Sequence, residues 1–121
     1  EPSIAAMAAI RADETDIKNI LTACENTEKL LLANKNHAEK DIAFHTAIAL
    51  SSKNIVVPKL VPIINSSIPL IRESAKLTMR DETIEIHREI ADAIAAHDAV
   101  RAHDAMYLHL IYNRKHIKSV N

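Results

Sequence analysis

No glycine occurs anywhere in the 121 residues of this chain. Glycine is the residue that enters the left-handed conformation most easily, and that conformation closes many helix C-termini and the tight turns of β-hairpins. A chain without it is poorly suited to a hairpin-rich sheet. Its turns fall to Asn, Asp and Ser, and an all-α domain is the expected fold class. The core must be aliphatic, because Phe44, Tyr107 and Tyr112 are the whole aromatic complement. The length fits one domain, 1–121, able to bury a core of its own.

Charge and cysteine usage narrow the function classes. A net charge of −1, with no dense Lys/Arg stripe, leaves no electrostatic footprint for nucleic acid on this segment. No apolar run approaches the ~18 residues of a membrane span, and the opening Glu1-Pro2-Ser3 lacks the basic start of a signal peptide. A chain that begins at Glu1 is expected to be a fragment or a trimmed piece. Cys24, the lone cysteine, falls on the apolar side of a helix as a small buried hydrophobe, and its solitude fits a reducing cytoplasmic setting.

Apolar periodicity lays out the helices. Residues 2 to 12 form the first, with Ile4, Ala5, Ala8 and Ala9 on one side and Ala6, Met7 and Ile10 widening the stripe. Asp13 or Thr15 caps the second, whose stripe Ile17, Ile20, Leu21, Cys24, Leu31 runs to about Ala33. After a turn at Asn34 to Asn36 comes a third helix over 37–51. From Asn54 to about Leu77 the spacing of Val57, Leu60, Val61, Ile64, Ile68 and Ile71 is helical, but Pro62 and Pro69 should bend or split the segment. Asp81 caps the next helix, with inner stripe Ile84, His87, Ile90, Ala91, Ile94. His97-Asp98 makes the turn into the last helix, whose inner stripe is Ala99, Ala102, Met106, His109, Leu110, Asn113, Ile117.

Three histidines and one aspartate stand in these inner columns. Asp41 and His45 lie one helical turn apart, so their polar tips aim at one point within the stripe Ala38, Ile42, Ile48, Ala49. Residue 98, in the expected turn, lies midway between 87 and 109. Two helices folded back at that turn bring His87 and His109 level, roughly 16 Å from it at 1.5 Å rise per residue. One carboxylate and three imidazoles can therefore converge in the bundle interior, a donor set that suits a divalent ion such as Zn, Ni, Mn or Fe. The bland alternative is a set of core histidines, each satisfied on backbone or hydroxyl groups, with Asp41 bonded to His45 alone. His37, His97, His103 and His116 read as surface residues. No HExxH motif and no glutamate three residues before a histidine occurs, so neither a zincin nor a ferritin-like di-iron site is supported.

The series Asp41-Ile-Ala-Phe-His45 followed by Asn54, then Glu85-Ile-His87-Arg-Glu-Ile-Ala-Asp-Ala-Ile94, then Ala102 to Met106 and His109-Leu110, resembles the FCD domain, the C-terminal ligand-binding domain of FadR-type GntR-family transcriptional regulators. The resemblance covers nearly the whole chain. It implies an antiparallel bundle of six or seven helices with Asp41, His45, His87 and His109 as metal ligands at the floor of a cavity. Zinc is the first choice of ion, and open metal positions would take water or a small organic acid as effector. In the family an N-terminal winged helix-turn-helix domain, absent from this chain, binds operator DNA as a homodimer. Members that respond to fatty-acyl-CoA lack the metal-ligand set, so a metabolite acid is the expected effector. Asn113, one turn after His109, and Arg72, in the bent fourth segment, are candidate effector contacts.

The resemblance points to a sensor and not an enzyme. Two other readings stay open on the residues alone: a stand-alone metalloenzyme acting on a small acid, and a structural helical interaction module. The second draws on Tyr107, Leu108, Leu110, Ile111 and Tyr112, which make the last helix apolar nearly all round.

Overall fold

The computed structural model describes residues 2–55 and 80–120, with the side chains of Ala38, Arg80 and residues 112–120 left out. Five helices make up the described residues: α1 (Pro2–Arg11), α2 (Glu14–Leu32), α3 (Ala38–Ser51), α4 (Arg80–Ala95) and α5 (Ala99–Val120). The all-α expectation holds, and there is no strand among the described residues. The bent helix expected between Asn54 and Leu77 falls almost wholly outside them.

Each boundary has a local cause. Asp13 caps α2 in a reciprocal box: its Oδ1 accepts from the Asp16 backbone N–H at 2.8 Å, and Asp16 Oδ2 accepts from the Asp13 N–H at 3.1 Å. Partial burial pushes the Asp16 carboxyl up, but the Lys53 ammonium at 2.7 Å and the Asp13 N–H outweigh it and hold the group below its ordinary value. At α5 the Asp98 side chain accepts from the Arg101 N–H at 3.1 Å, as its position in the turn suggested. Asp81 instead sits inside the first turn of α4, where its charge suits the helix dipole.

The missing glycines reappear as three left-handed residues of other types, Asn34, Lys53 and His97, with φ of 56°, 60° and 57°. Two of them close Schellman motifs. Lys35 N–H reaches back to Leu30 O and Asn34 N–H to Leu31 O; Asp98 N–H reaches Ala93 O and His97 N–H reaches Ile94 O. A side chain with a Cβ is strained there, by about 1 kcal/mol relative to glycine. Asn34→Gly is therefore expected to be more stable than Asn34→Ala by about 1 kcal/mol in chemical denaturation, since both lose the amide and only one keeps the Cβ.

The core is built around the small face of α1. Ala5, Ala8 and Ala9 are fully buried, and α1 packs on α3, α4 and α5 together. Side chains this small let the helix enter a groove that a leucine would fill. Its C-terminal end is tied on two sides: the Arg11 guanidinium donates to Ser52 O at 3.1 Å, and His97 Nδ1 lies 2.8 Å from Ala9 O. The second helix buries Ile20, Cys24, Thr27 and Leu31, while Leu21, expected inside, faces outward. Thr27 is accommodated because its hydroxyl donates to Ala23 O at 2.8 Å. Burial pushes the Cys24 thiol up to about 11, as suits an inert core residue.

Helices α4 and α5 pack directly on each other, and α2 bridges α3 and α4. By contrast, among the described residues no Cα atom of α3 comes within 8 Å of one in α4 or α5. Long side chains span that gap, and they are mostly rings.

Candidate metal centre

On α3 and its C-cap the inward face runs Asp41, Phe44, Ile48 and Ser52 at spacings of three and four, with His45 one turn after Asp41. Asp41, Phe44 and Ser52 are fully buried and Ile48 nearly so. Of the expected stripe, Ile48 and Ala49 are buried. Ile42 is only half-buried, and it lines a shallow groove between α2 and α3 instead of the core. Asp41 and His45 are thus central to the buried face and do not interrupt an apolar one.

From α4 comes His87, 2% exposed, and from α5 His109, 1% exposed. Their ring centroids are 5.0 Å apart, so residues equally distant from the 97–98 turn do meet. The His45 ring stacks on His109 at 5.2 Å with planes 19° apart, and stands edge-on to His87 at 5.7 Å. One ring nitrogen from each of the three histidines lies within 4.8 Å of the others. Asp41 Oδ1 stands 3.3 Å from His87 Nε2 and 3.6 Å from His45 Nε2. All four expected ligands are brought together. His45 is the most accessible of the four, with 11% of its side chain exposed.

These distances bear on what the cluster can do. A charge-assisted N–H to carboxylate bond is usually about 2.7–2.9 Å, shorter than either contact to Asp41. Two ligands bound at about 2.1 Å to one ion stand about 3.0–3.4 Å apart when adjacent and about 4.2 Å apart when opposite. The contacts at 3.3 and 3.6 Å resemble adjacent ligands, and three nitrogens at the 4.8 Å limit reach that spacing by an inward shift of about 0.8 Å each. The donor set therefore fits a divalent metal. A carboxylate buried at 0% exposure is also costly unless charge compensates it, and an ion supplies that charge.

The remaining sites divide. His103 is exposed beside Asp104, as expected, whereas His37 is buried at 3% where a surface position was expected. The His37 carbonyl accepts the Asp41 N–H at 2.8 Å, so the start of α3 is drawn inward with Asp41. Arg72 and the side chains of Asn113 and His116 lie outside the described residues. Among the described residues no glutamate is buried; Glu89 pairs with Arg101 and Glu28 with Arg88 at the surface. Sequence reading passed over one member of the site. Phe44 contacts two of the imidazoles, and its position three residues after Asp41 and four before Ile48 already put it on the buried face.

Residues 1–111 match the FCD domain. The chain belongs to the FCD family. It is 29% identical over 117 residues to the uncharacterized HTH-type transcriptional regulator YcbG of Bacillus subtilis, a match that spans 97% of this chain and 49% of that protein. It also superposes on a structure described as Streptococcus agalactiae GntR with a TM-score of 0.82 at 33% identity, covering 95% of this chain and 53% of that one. The FCD chain thus spans about half the length of the relatives it matches. Both are GntR-family proteins, and the all-helical bundle is the fold expected of the FCD domain. No helix among the described residues is long and apolar enough to cross a membrane.

Proposed function

We propose that this FCD domain is the effector sensor of a cytoplasmic GntR-type transcription regulator, and that it holds one divalent metal, zinc first, on Asp41, His45, His87 and His109. The observation that carries this reading is the convergence of three imidazole nitrogens within 4.8 Å beside a fully buried carboxylate. A bound ion would offer its remaining coordination positions to the carboxylate of a small organic acid entering from the side of His45. The acid tightens α3 against α4 and α5, and that population shift is passed to a separate DNA-binding domain. Regulation and not catalysis is favoured by the kinds of protein the chain resembles. For a homodimer, support comes from the outer face of α5, where Val100, Tyr107, Leu108 and Ile111 are exposed together.

The effector step has its own test. A panel of small mono-, di- and tricarboxylates is expected to raise the melting temperature of the zinc-loaded chain and to leave the metal-free chain unchanged. A ligand at about 100 times its Kd adds about 2.7 kcal/mol, which a thermal melt resolves easily. Equal shifts with and without zinc would place the acid elsewhere and contradict the reading.

A further inference from the structure

Phe44 is the only phenylalanine of the chain, it is fully buried, and it lies between α3 and α4. Its ring lies 4.7 Å from the His87 ring with planes 35° apart, and 5.4 Å from the His45 ring at 72°. It therefore touches one imidazole on its own helix and one on the facing helix. Resting on the metal reading above, we propose that Phe44 is a positioning residue for the metal site, a flat apolar back wall that fixes the ring planes of His87 and His45 before any ion arrives.

The need for such a wall follows from side-chain torsions. The last torsion of a histidine is broad, so backbone placement alone leaves the ring plane, and with it the direction of Nε2, poorly set. Most metal-bound histidines are oriented by a hydrogen bond to the second nitrogen, and the apolar shell around a site controls water access and dielectric. Here three rings surround His87: Phe44 at 4.7 Å, His109 at 5.0 Å and His45 at 5.7 Å. Two of these belong to the proposed ligand set. Phe44 does not, so it is the fixed reference that keeps His87 Nε2 directed at Asp41 Oδ1, 3.3 Å away. Aromatic pairs with centroids about 4.5–7 Å apart attract each other in preferred orientations beyond the area they bury, and an aliphatic side chain does not supply this orientation.

The test compares Phe44→Leu and Phe44→Met with the parent and with Ile94→Val, a change at an equally buried core position seven residues after His87 on α4. Zinc affinity is read by competition with a chromogenic chelator, Co(II) coordination by its visible spectrum, and folding by circular dichroism of the metal-free chains. The expected result is zinc binding weakened about tenfold to a hundredfold and an altered Co(II) spectrum in both Phe44 variants. Ile94→Val should keep the parent's affinity and spectrum. Phe44 variants that fold and match the parent in both readouts overturn the proposal while leaving the metal reading intact. A parent that takes up neither ion overturns both.

A second measurement needs no substitution. In nuclear Overhauser spectra of the parent, the His87 ring protons are expected to contact the Phe44 ring both without zinc and with it. Contacts that arise only on loading zinc, or that vanish then, would show that the ion orients the ring and would also overturn the proposal.

Discussion

Stripping divalent metal from the chain is expected to lower its melting temperature by roughly 10 °C, and His87→Ala is expected to abolish that difference. The magnitude follows from linkage. Zinc at about 100 times its Kd adds about 2.7 kcal/mol to the folded state, and for a chain of this size each kcal/mol moves the midpoint by about 3–5 °C. His87 is the position of choice because it is buried and stands 3.3 Å from the Asp41 carboxylate, closer than His45 at 3.6 Å. Removing it leaves an incomplete donor set, so melts of the variant with and without zinc should coincide. Parent melts that do not respond to a chelator, in protein first loaded with zinc, would sink the site.

The second large effect concerns the fold. Ala8→Leu is expected to cost about 3 kcal/mol, with a drop in midpoint of roughly 10 °C, because it forces three extra carbons into the seam where α1 meets α3, α4 and α5. The mirror change on the same helix gives the contrast. Ile10 is 67% exposed, and Ile10→Ala, which removes three carbons there, should alter stability by no more than about 0.5 kcal/mol. Urea titration of both variants reads the two numbers directly. A tolerated Ala8→Leu would mean that α1 does not occupy the groove described.

Much of this architecture was legible before any coordinates. Missing glycine and apolar periodicity sufficed for the all-α class, and the position of Asp98 midway between His87 and His109 sufficed for their meeting. Both rest on regular helix geometry, which spacing reports faithfully. Illegible were features decided by the exact roll of a helix. Ile42 and Leu21 lie one residue from positions that are buried or half-buried, and a rotation of one side chain spacing exchanges inside for outside. On α3 the roll is set by Asp41, Phe44 and His45 together, so Phe44 comes inward where hydropathy alone favoured Ile42. His37 was misread because turn residues are usually solvated, whereas here the turn dips inward to start α3. Asn34 and His97 fall in the expected turns, but spacing alone does not say which turn residue becomes left-handed.

The FCD family match and the geometry meet at one question, whether these four side chains bind an ion. Native mass spectrometry of the folded chain after dialysis against zinc tests it most directly. The account predicts one zinc per chain in the parent and none in His87→Ala or His109→Ala, with both variants still folded. A folded parent that carries no zinc, or variants that retain it at full stoichiometry, would contradict it.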